Sequence, residues 1–144
     1  MSSLMNIFGN IKIDNINQEK HFDGNTLYSN SKLMNILFSK ELSRRWKSLG
    51  ITSYSLHPGY VRSSIFDTSE KRDLFIFLGY FVGKNTVQGA QTSIFLSSEP
   101  GIENLSGEHF SDCRVDKFLV NEQADDSELA GKLWDRSEQL VGRT

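Results

Sequence analysis

Tyr28 and Lys32 are the residues of this chain whose types and spacing best suit proton transfer. Residues four apart on a helix lie on the same face, so a helix here would place the phenol beside the ammonium group. A neighbouring ammonium group favours the phenolate and lets a tyrosine give or take a proton near neutral pH. Ordinary surface pairs have the same spacing, and the spacing alone leaves that alternative open.

Two other stretches contain groups suited to binding a substrate or a cofactor. Ser3, preceded by Ser2, could hold a substrate oxygen by a hydrogen bond, although two serines after an initiator methionine are also typical of a disordered terminus. Residues 57–63 (His-Pro-Gly-Tyr-Val-Arg-Ser) follow a predicted strand. Within them Gly59 would let a flat ring approach the backbone, and Ser63 could bond an amide or a phosphate. A plain turn is the alternative.

Apolar periodicity predicts the elements that must position these residues. We expect a long loop over residues 4–25, helices over 26–49, 70–82, 86–98 and 126–141, and strands over 51–56 and 107–110. Gly50 would end the first helix, and Pro58 would end the first strand. This order favours an α/β fold with parallel strands. Because parallel sheets normally have more than two or three strands, the sequence predicts part of a larger α/β domain.

Composition and charge argue against several other classes of protein. The net charge of -2 and the lack of a basic stripe make nucleic acid an unexpected partner. The single cysteine, Cys113, rules out an internal disulfide, and the Cys and His residues lack the spacing of a zinc site, so no metal is expected. The longest apolar stretch, residues 74–82 (LFIFLGYFV), is too short to span a bilayer. It suits a buried helix or a helix lying in a membrane interface, and no signal peptide is expected.

Taken together, these segments resemble the carboxyl-terminal half of a short-chain dehydrogenase/reductase, and more closely the retinol dehydrogenase branch of that superfamily. The matching stretches are YSNSKLMNILFSKELSRR, SLHPGYVRS, VQGAQTSIFLSS, LSGEHFSDC and KLWDRSEQLVG. The resemblance implies the carboxyl-terminal portion of a Rossmann-type doubly wound parallel sheet, with residues 1–144 as a single partial domain. It also implies an oxidoreductase that interconverts an apolar alcohol and its aldehyde or ketone.

The resemblance gives three residues a catalytic role. Ser3 matches the family's catalytic serine, which holds the substrate oxygen. Tyr28 matches the catalytic acid/base that passes the proton. Lys32 matches the catalytic lysine, which favours the phenolate and also bonds the cofactor ribose, so that Tyr28 and Lys32 lie at the cofactor as well.

The resemblance also implies a cofactor site. Its residues match the family's Pro-Gly-x-Val-x-Thr motif, which holds the nicotinamide end of the cofactor, and they are Pro58, Gly59, Val61 and Ser63. Serine replaces threonine at the last position and keeps the hydroxyl group. The implied cofactor is NADP(H), with NAD(H) as the alternative.

Substrate, partners and location follow from the same resemblance. An apolar small molecule such as a retinoid is the implied substrate, and residues 74–82 would form a substrate-covering segment or touch a membrane surface. The helix that carries Tyr28 would form a homodimer interface, as it does in many relatives. Association with endoplasmic reticulum or mitochondrial membranes is implied for the family, although the sequence itself does not identify an organelle.

The chain departs from the family pattern at the pyrophosphate site. It contains no Thr-Gly-x-x-x-Gly-x-Gly turn of the kind that cradles the pyrophosphate. Met1 stands where the family completes its fifth strand, which predicts a partial gene product, an internal start or a short isoform. We therefore expect the isolated chain to be inactive. A non-catalytic product that acts through helix pairing or membrane contact remains the alternative function.

Overall fold

The computed structural model describes residues 1–16, 23–62 and 83–142. Its α-helices are α1 (Gly24–Trp46), α2 (Thr86–Ser98) and α3 (Ser127–Leu140). Its strands are β1 (Ser55–His57), β2 (His109–Ser111) and β3 (Arg114–Val115). Short 3₁₀ helices cover Leu4–Phe8, Ile13–Asn15, Lys47–Leu49, Glu103–Leu105 and Glu122–Asp125. Within these ranges no helix is long and apolar enough to cross a membrane.

The three strands form one sheet in the order β1-β2-β3. β1 and β2 are parallel, with Ser55 opposite His109 and Leu56 opposite Phe110. β2 and β3 are antiparallel. The predicted α/β class with parallel strands is therefore confirmed, and the antiparallel β3 is an addition that the sequence pattern did not indicate.

Each helix begins at a side chain that satisfies its free backbone amides. The Asp23 carboxylate accepts from the amide of Thr26 (2.8 Å) at the start of α1. Asn85 and Gln88 form a reciprocal capping box at the start of α2. Asp126 caps α3. These caps set the amino ends of the helices, and all the observed helix boundaries lie within three residues of those predicted.

The apolar core lies mainly between α1 and α3. Its members are buried aliphatic side chains from both helices, from the segment that precedes Ile13–Asn15 and from the 3₁₀ helix before α3. They are Ile11, Leu33, Ile36, Leu37, Ala124, Leu129, Ala130 and Leu133. On the opposite face of the sheet, Phe110 of β2 packs against Phe95 of α2, with ring centroids 6.3 Å apart. The sheet is thus layered between α1 and α2.

Some elements differ from the prediction. β1 is shorter than the strand expected over 51–56, because the amide of Ser53 donates to the Ser106 hydroxyl (3.0 Å) and not to a neighbouring strand. β2 begins and ends later than the strand expected over 107–110. The long loop contains two of the 3₁₀ helices. The helix predicted over 70–82 lies outside the described residues.

Candidate functional site

Tyr28 and Lys32 lie together on the first turns of α1. The Lys32 ammonium nitrogen is 5.0 Å from the centre of the Tyr28 ring, so the pair forms a cation–π contact across one helical turn. The Tyr28 side chain is 46% exposed. The positive charge lies beside the phenol, and the ring remains open to a ligand.

The opposite face of the same turns fixes the helix in place. Ser29 and Asn30, which lie between the pair in sequence, are both buried. The Asn30 side-chain oxygen accepts from the backbone amide of Asn10 (2.7 Å), which fastens the preceding loop to α1. One face of the helix is therefore anchored while the other presents Tyr28.

Ser2 and Ser3 lie at the end of an extended segment beside β1. The backbone amide of Ser2 donates to the carbonyl of Leu56 (2.7 Å). The Ser2 hydroxyl is buried and donates to the carbonyl of Lys32 (2.8 Å). Ser2 therefore ties the sheet to the helix of the Tyr28–Lys32 pair, a role that no feature of the sequence indicated.

Ser3 is half-buried and begins the 3₁₀ helix Leu4–Phe8. Its hydroxyl oxygen accepts from the amide of Met5 at 3.4 Å, a long hydrogen bond. Within the described ranges no hydrogen bond joins the Ser3 hydroxyl to Tyr28 or Lys32. The structure thus brings Tyr28 and Lys32 together directly, and it connects Ser3 to their helix through its neighbour Ser2, whose hydroxyl donates to the Lys32 carbonyl.

The Pro58–Val61 turn follows β1 at the carboxyl end of the strand. Gly59 has a left-handed backbone (φ +86°), and a Cβ there would lie 2.8 Å from the Lys84 ammonium nitrogen. The group that approaches Gly59 closely is thus the Lys84 side chain, whereas the sequence interpretation placed a flat ring there. Val61 packs against Gly89 of α2, since a Cβ on that glycine would lie 2.5 Å from a Val61 methyl. Ser63, the last residue of the predicted motif, lies outside the described residues.

Lys84 joins this turn to the hairpin between β2 and β3. Its ammonium group donates to the Pro58 carbonyl (3.3 Å) and forms an ion pair with Asp112. Asp112 and Cys113 both have left-handed backbones (φ 50° and 59°), as a tight two-residue hairpin requires. The sequence interpretation missed Lys84 and Asp112, because neither belongs to a recognisable motif.

His57, the residue that precedes the turn, is half-buried. Burial lowers the pKa of His57, and the nearby Lys84 ammonium lowers it further against the opposing charges of Asp112 and Asp116. Lys84 thus lies at the carboxyl ends of β1 and β2, and the carboxyl ends of parallel strands are where α/β proteins bind ligands.

Comparison with known proteins gives the family context of this geometry. The chain is 43% identical over 142 residues to retinol dehydrogenase 11 of Homo sapiens and 40% identical over 146 residues to retinol dehydrogenase 14 of the same species. Both alignments cover 99% of the chain. The chain is a homologue of the retinol dehydrogenases. The resemblance to that branch of the short-chain dehydrogenase/reductase superfamily is confirmed, while no protein-family model matches the chain.

The chain spans 43–44% of the length of these two retinol dehydrogenases. A crystal structure of an uncharacterised protein from Mycobacterium paratuberculosis matches 98% of the chain and 48% of its own, with a TM-score of 0.68 and 24% identity. That likeness concerns the fold alone. It agrees with the expected fold, a portion of a larger α/β sheet.

Proposed function

We propose that this retinol dehydrogenase homologue provides the catalytic residues of a nicotinamide-dependent oxidoreductase that interconverts an apolar alcohol and its aldehyde or ketone. The observation that carries the proposal is the Tyr28–Lys32 pair, with the ammonium group over an exposed phenol ring. An exposed tyrosine on a rigid helix can reach a bound substrate. The adjacent positive charge favours the phenolate that accepts the proton of an alcohol.

Each residue of the site has a distinct task in this proposal. The Ser3 hydroxyl accepts from Met5, so its own proton remains free to donate to the substrate oxygen. In the direction of reduction, Tyr28 gives its phenolic proton to that oxygen as the carbonyl carbon receives a hydride. Lys32 stabilises the phenolate that remains. A nicotinamide cofactor, when bound, supplies or accepts the hydride.

The residues present fit one end of such a cofactor. Lys32 offers ammonium donors suited to ribose hydroxyls, and the chain has no glycine-rich turn for the pyrophosphate. We propose NADP(H) as the cofactor, with NAD(H) as the alternative. Lys84 fills the space over Gly59, so the proposed binding of nicotinamide by Pro58, Gly59, Val61 and Ser63 requires the Lys84 side chain to move.

The surroundings of Ser3 support an apolar substrate. Leu4 and Phe8, on the 3₁₀ helix that Ser3 begins, are 41% and 70% exposed. Exposed apolar side chains next to a hydroxyl that holds an oxygen suit a long hydrocarbon with one polar end, such as a retinoid. We propose that residues 74–82 cover this substrate.

A fusion protein tests the proposed function. The part of human retinol dehydrogenase 11 that precedes the matched region would be joined to Met1 of this chain, which supplies a pyrophosphate-binding half. We expect the fusion protein to reduce retinaldehyde with NADPH, while the isolated chain and the added half each remain inactive. A folded fusion protein that binds NADPH without oxidising it in the presence of retinaldehyde would overturn the proposal.

A second candidate function is non-catalytic pairing through α1. Phe38 and Trp46 of that helix are 48% and 39% exposed, and Phe38 stacks on Trp134 of α3 with ring centroids 5.3 Å apart. An exposed aromatic cluster favours a protein partner, and a second copy is the proposed one. Light scattering would test this: a dimer that Phe38→Ser and Trp46→Ser convert to a monomer supports pairing, and a monomeric parent chain contradicts it.

A further inference from the structure

The segment that follows Ser3 has little regular structure of its own to hold it. Ser3 is succeeded by two 3₁₀ helices, whose hydrogen bonds have poorer geometry than those of an α-helix. The Ser3 carbonyl accepts from both the backbone amide and the side-chain amide of Asn6, each at 2.9 Å. The position of Ser3 therefore depends on the position of the Asn6 side chain.

The Asn6 side chain is fully buried and is itself held from the other end of the chain. Its amide nitrogen also donates to the carbonyl of Leu119 (3.1 Å). Its oxygen accepts from the backbone amide of Asn121 (3.0 Å). Both of its N–H groups and one acceptor position are thus used.

Asn121 also bonds the segment that contains Asn6. Its side-chain amide donates to the carbonyls of Ile7 (2.8 Å) and Gly9 (2.9 Å), and its side-chain oxygen accepts from the amide of Gln123 (2.9 Å). The Gln123 side chain in turn accepts from the amide of Ile11 (2.9 Å). The asparagine amide at position 121 can make all three bonds because it offers two donors and an acceptor at once.

We propose that Asn6 and Asn121 are positioning residues that hold Ser3 in register with the Tyr28–Lys32 pair. The inference rests on the proposed function, since it gives Ser3 its catalytic meaning. Residues 119–123 would then help to shape the catalytic site by holding the Ser3 segment, without touching substrate or cofactor. We call the contacts between Asn6 and Asn121 and their backbone partners the amide clasp.

The test uses Asn121→Asp in the fusion protein. Aspartate keeps the shape and the acceptor that caps Gln123, but it lacks the two N–H donors to Ile7 and Gly9 and brings a negative charge towards their carbonyls. Asn121→Ser removes the same donors without adding charge and serves if the first variant fails to fold. Asn104→Asp, the same change at an exposed position, is the matched control.

Two readouts separate positioning from general stability. We expect Asn121→Asp to lower kcat for retinaldehyde at least tenfold, while the KM for NADPH changes less than twofold. We also expect amide hydrogen exchange in peptides covering residues 3–9 to speed up at least tenfold. Asn104→Asp should leave both measurements unchanged.

The outcomes distinguish the two proposals. An inactive but folded parent fusion protein would overturn the proposed function, and exchange in residues 3–9 would still decide whether the clasp holds that segment. An active parent whose kcat survives Asn121→Asp and Asn121→Ser would overturn the positioning role. Faster exchange confined to residues 119–123 would overturn the clasp itself.

Discussion

Helix α1 carries two sets of interacting polar side chains, each spaced three or four residues apart. One set is exposed and the other is centred on a buried carboxylate. Near its amino end, Lys32 lies over Tyr28, whose side chain is 46% exposed. Near its carboxyl end, Glu41 is 1% exposed and accepts hydrogen bonds from Arg44 (2.6 and 2.8 Å) and Arg45 (2.5 Å). The Arg44 hydrogen bond, together with Arg45, lowers the pKa of Glu41 to about 2 despite its burial.

The difference lies in what each group leaves available. The Glu41 carboxylate has both oxygens occupied, so its contacts serve to hold the helix. Tyr28, in contrast, is exposed beside the Lys32 ammonium group, where a ligand can reach it. Sequence spacing alone does not separate the two cases; burial does.

The largest expected effect concerns the exposed pair. Tyr28→Phe in the fusion protein should lower kcat for retinaldehyde by at least about a hundredfold, the scale of losing a general acid. Because the Tyr28 side chain is exposed, the free energy of unfolding should change little. Steady-state kinetics and urea denaturation measure the two quantities.

Tyr54→Phe is the control for the Tyr28 variant. The Tyr54 hydroxyl is half-buried and donates to the carbonyl of Ile102 (3.0 Å). Its loss should therefore reduce stability and leave kcat close to the parent value. If Tyr28→Phe retained kcat within a few fold of the parent, the assignment of Tyr28 as acid/base would be wrong.

The sequence was sufficient for features that depend on neighbours along the chain. Apolar periodicity predicted α1, α2 and α3, and the four-residue spacing of Tyr28 and Lys32 predicted their contact. Contacts between distant segments carry no such pattern. The bond between Asn6 and Asn121 joins residues 115 positions apart, and an asparagine in a loop is more often a turn residue than a buried clasp.

Two features of the site show the same limit. The Asp112–Cys113 hairpin lacks the Asn-Gly or Asp-Gly pair by which such turns are recognised, so β3 was not predicted. The sequence interpretation placed a flat ring close to Gly59, and it could not show that the Lys84 side chain, 25 positions later, lies there. Which side chain fills a gap depends on tertiary packing.

A second expected effect concerns a buried titratable residue of the sheet, His109, and the dependence of stability on pH. His109 is 2% exposed, and its Nδ1 lies 2.9 Å from the Ser55 hydroxyl. Burial lowers the pKa of His109 to about 4, with Asp116 opposing that shift. The folded state therefore binds a proton less readily than the unfolded state, and stability is lost as pH falls below the unfolded value near 6.5.

Urea denaturation of the fusion protein at pH 7 and pH 5 would measure this loss. His109 should account for about 2 kcal/mol between those values, since one unit of pKa difference corresponds to about 1.4 kcal/mol. The Glu41 contribution is lost only as pH falls from 4.5 towards about 2, so it does not enter this window. His109→Gln should remove this contribution, while His57, whose pKa is also lowered by burial, keeps a loss of the same sign in both proteins. A difference between pH 7 and pH 5 as steep in the variant as in the parent would show that other groups are responsible.

The smallest expected effect tests the buried carboxylate of α1 directly. Glu41→Gln removes the charge and leaves one acceptor for two guanidinium groups, and should lower the free energy of unfolding by about 1.5 kcal/mol. The loss stays moderate because the Arg44 and Arg45 side chains are 63% and 31% exposed and can turn to water.

Glu128→Gln is the matched control, since its pair with Lys132 (2.7 Å) has the same four-residue spacing at an exposed position. Exposed pairs of this kind contribute only about 0.3–0.5 kcal/mol. Equal losses in the two variants, measured by urea denaturation at pH 7, would mean that burial does not distinguish these pairs and that the contrast with Tyr28–Lys32 has another cause.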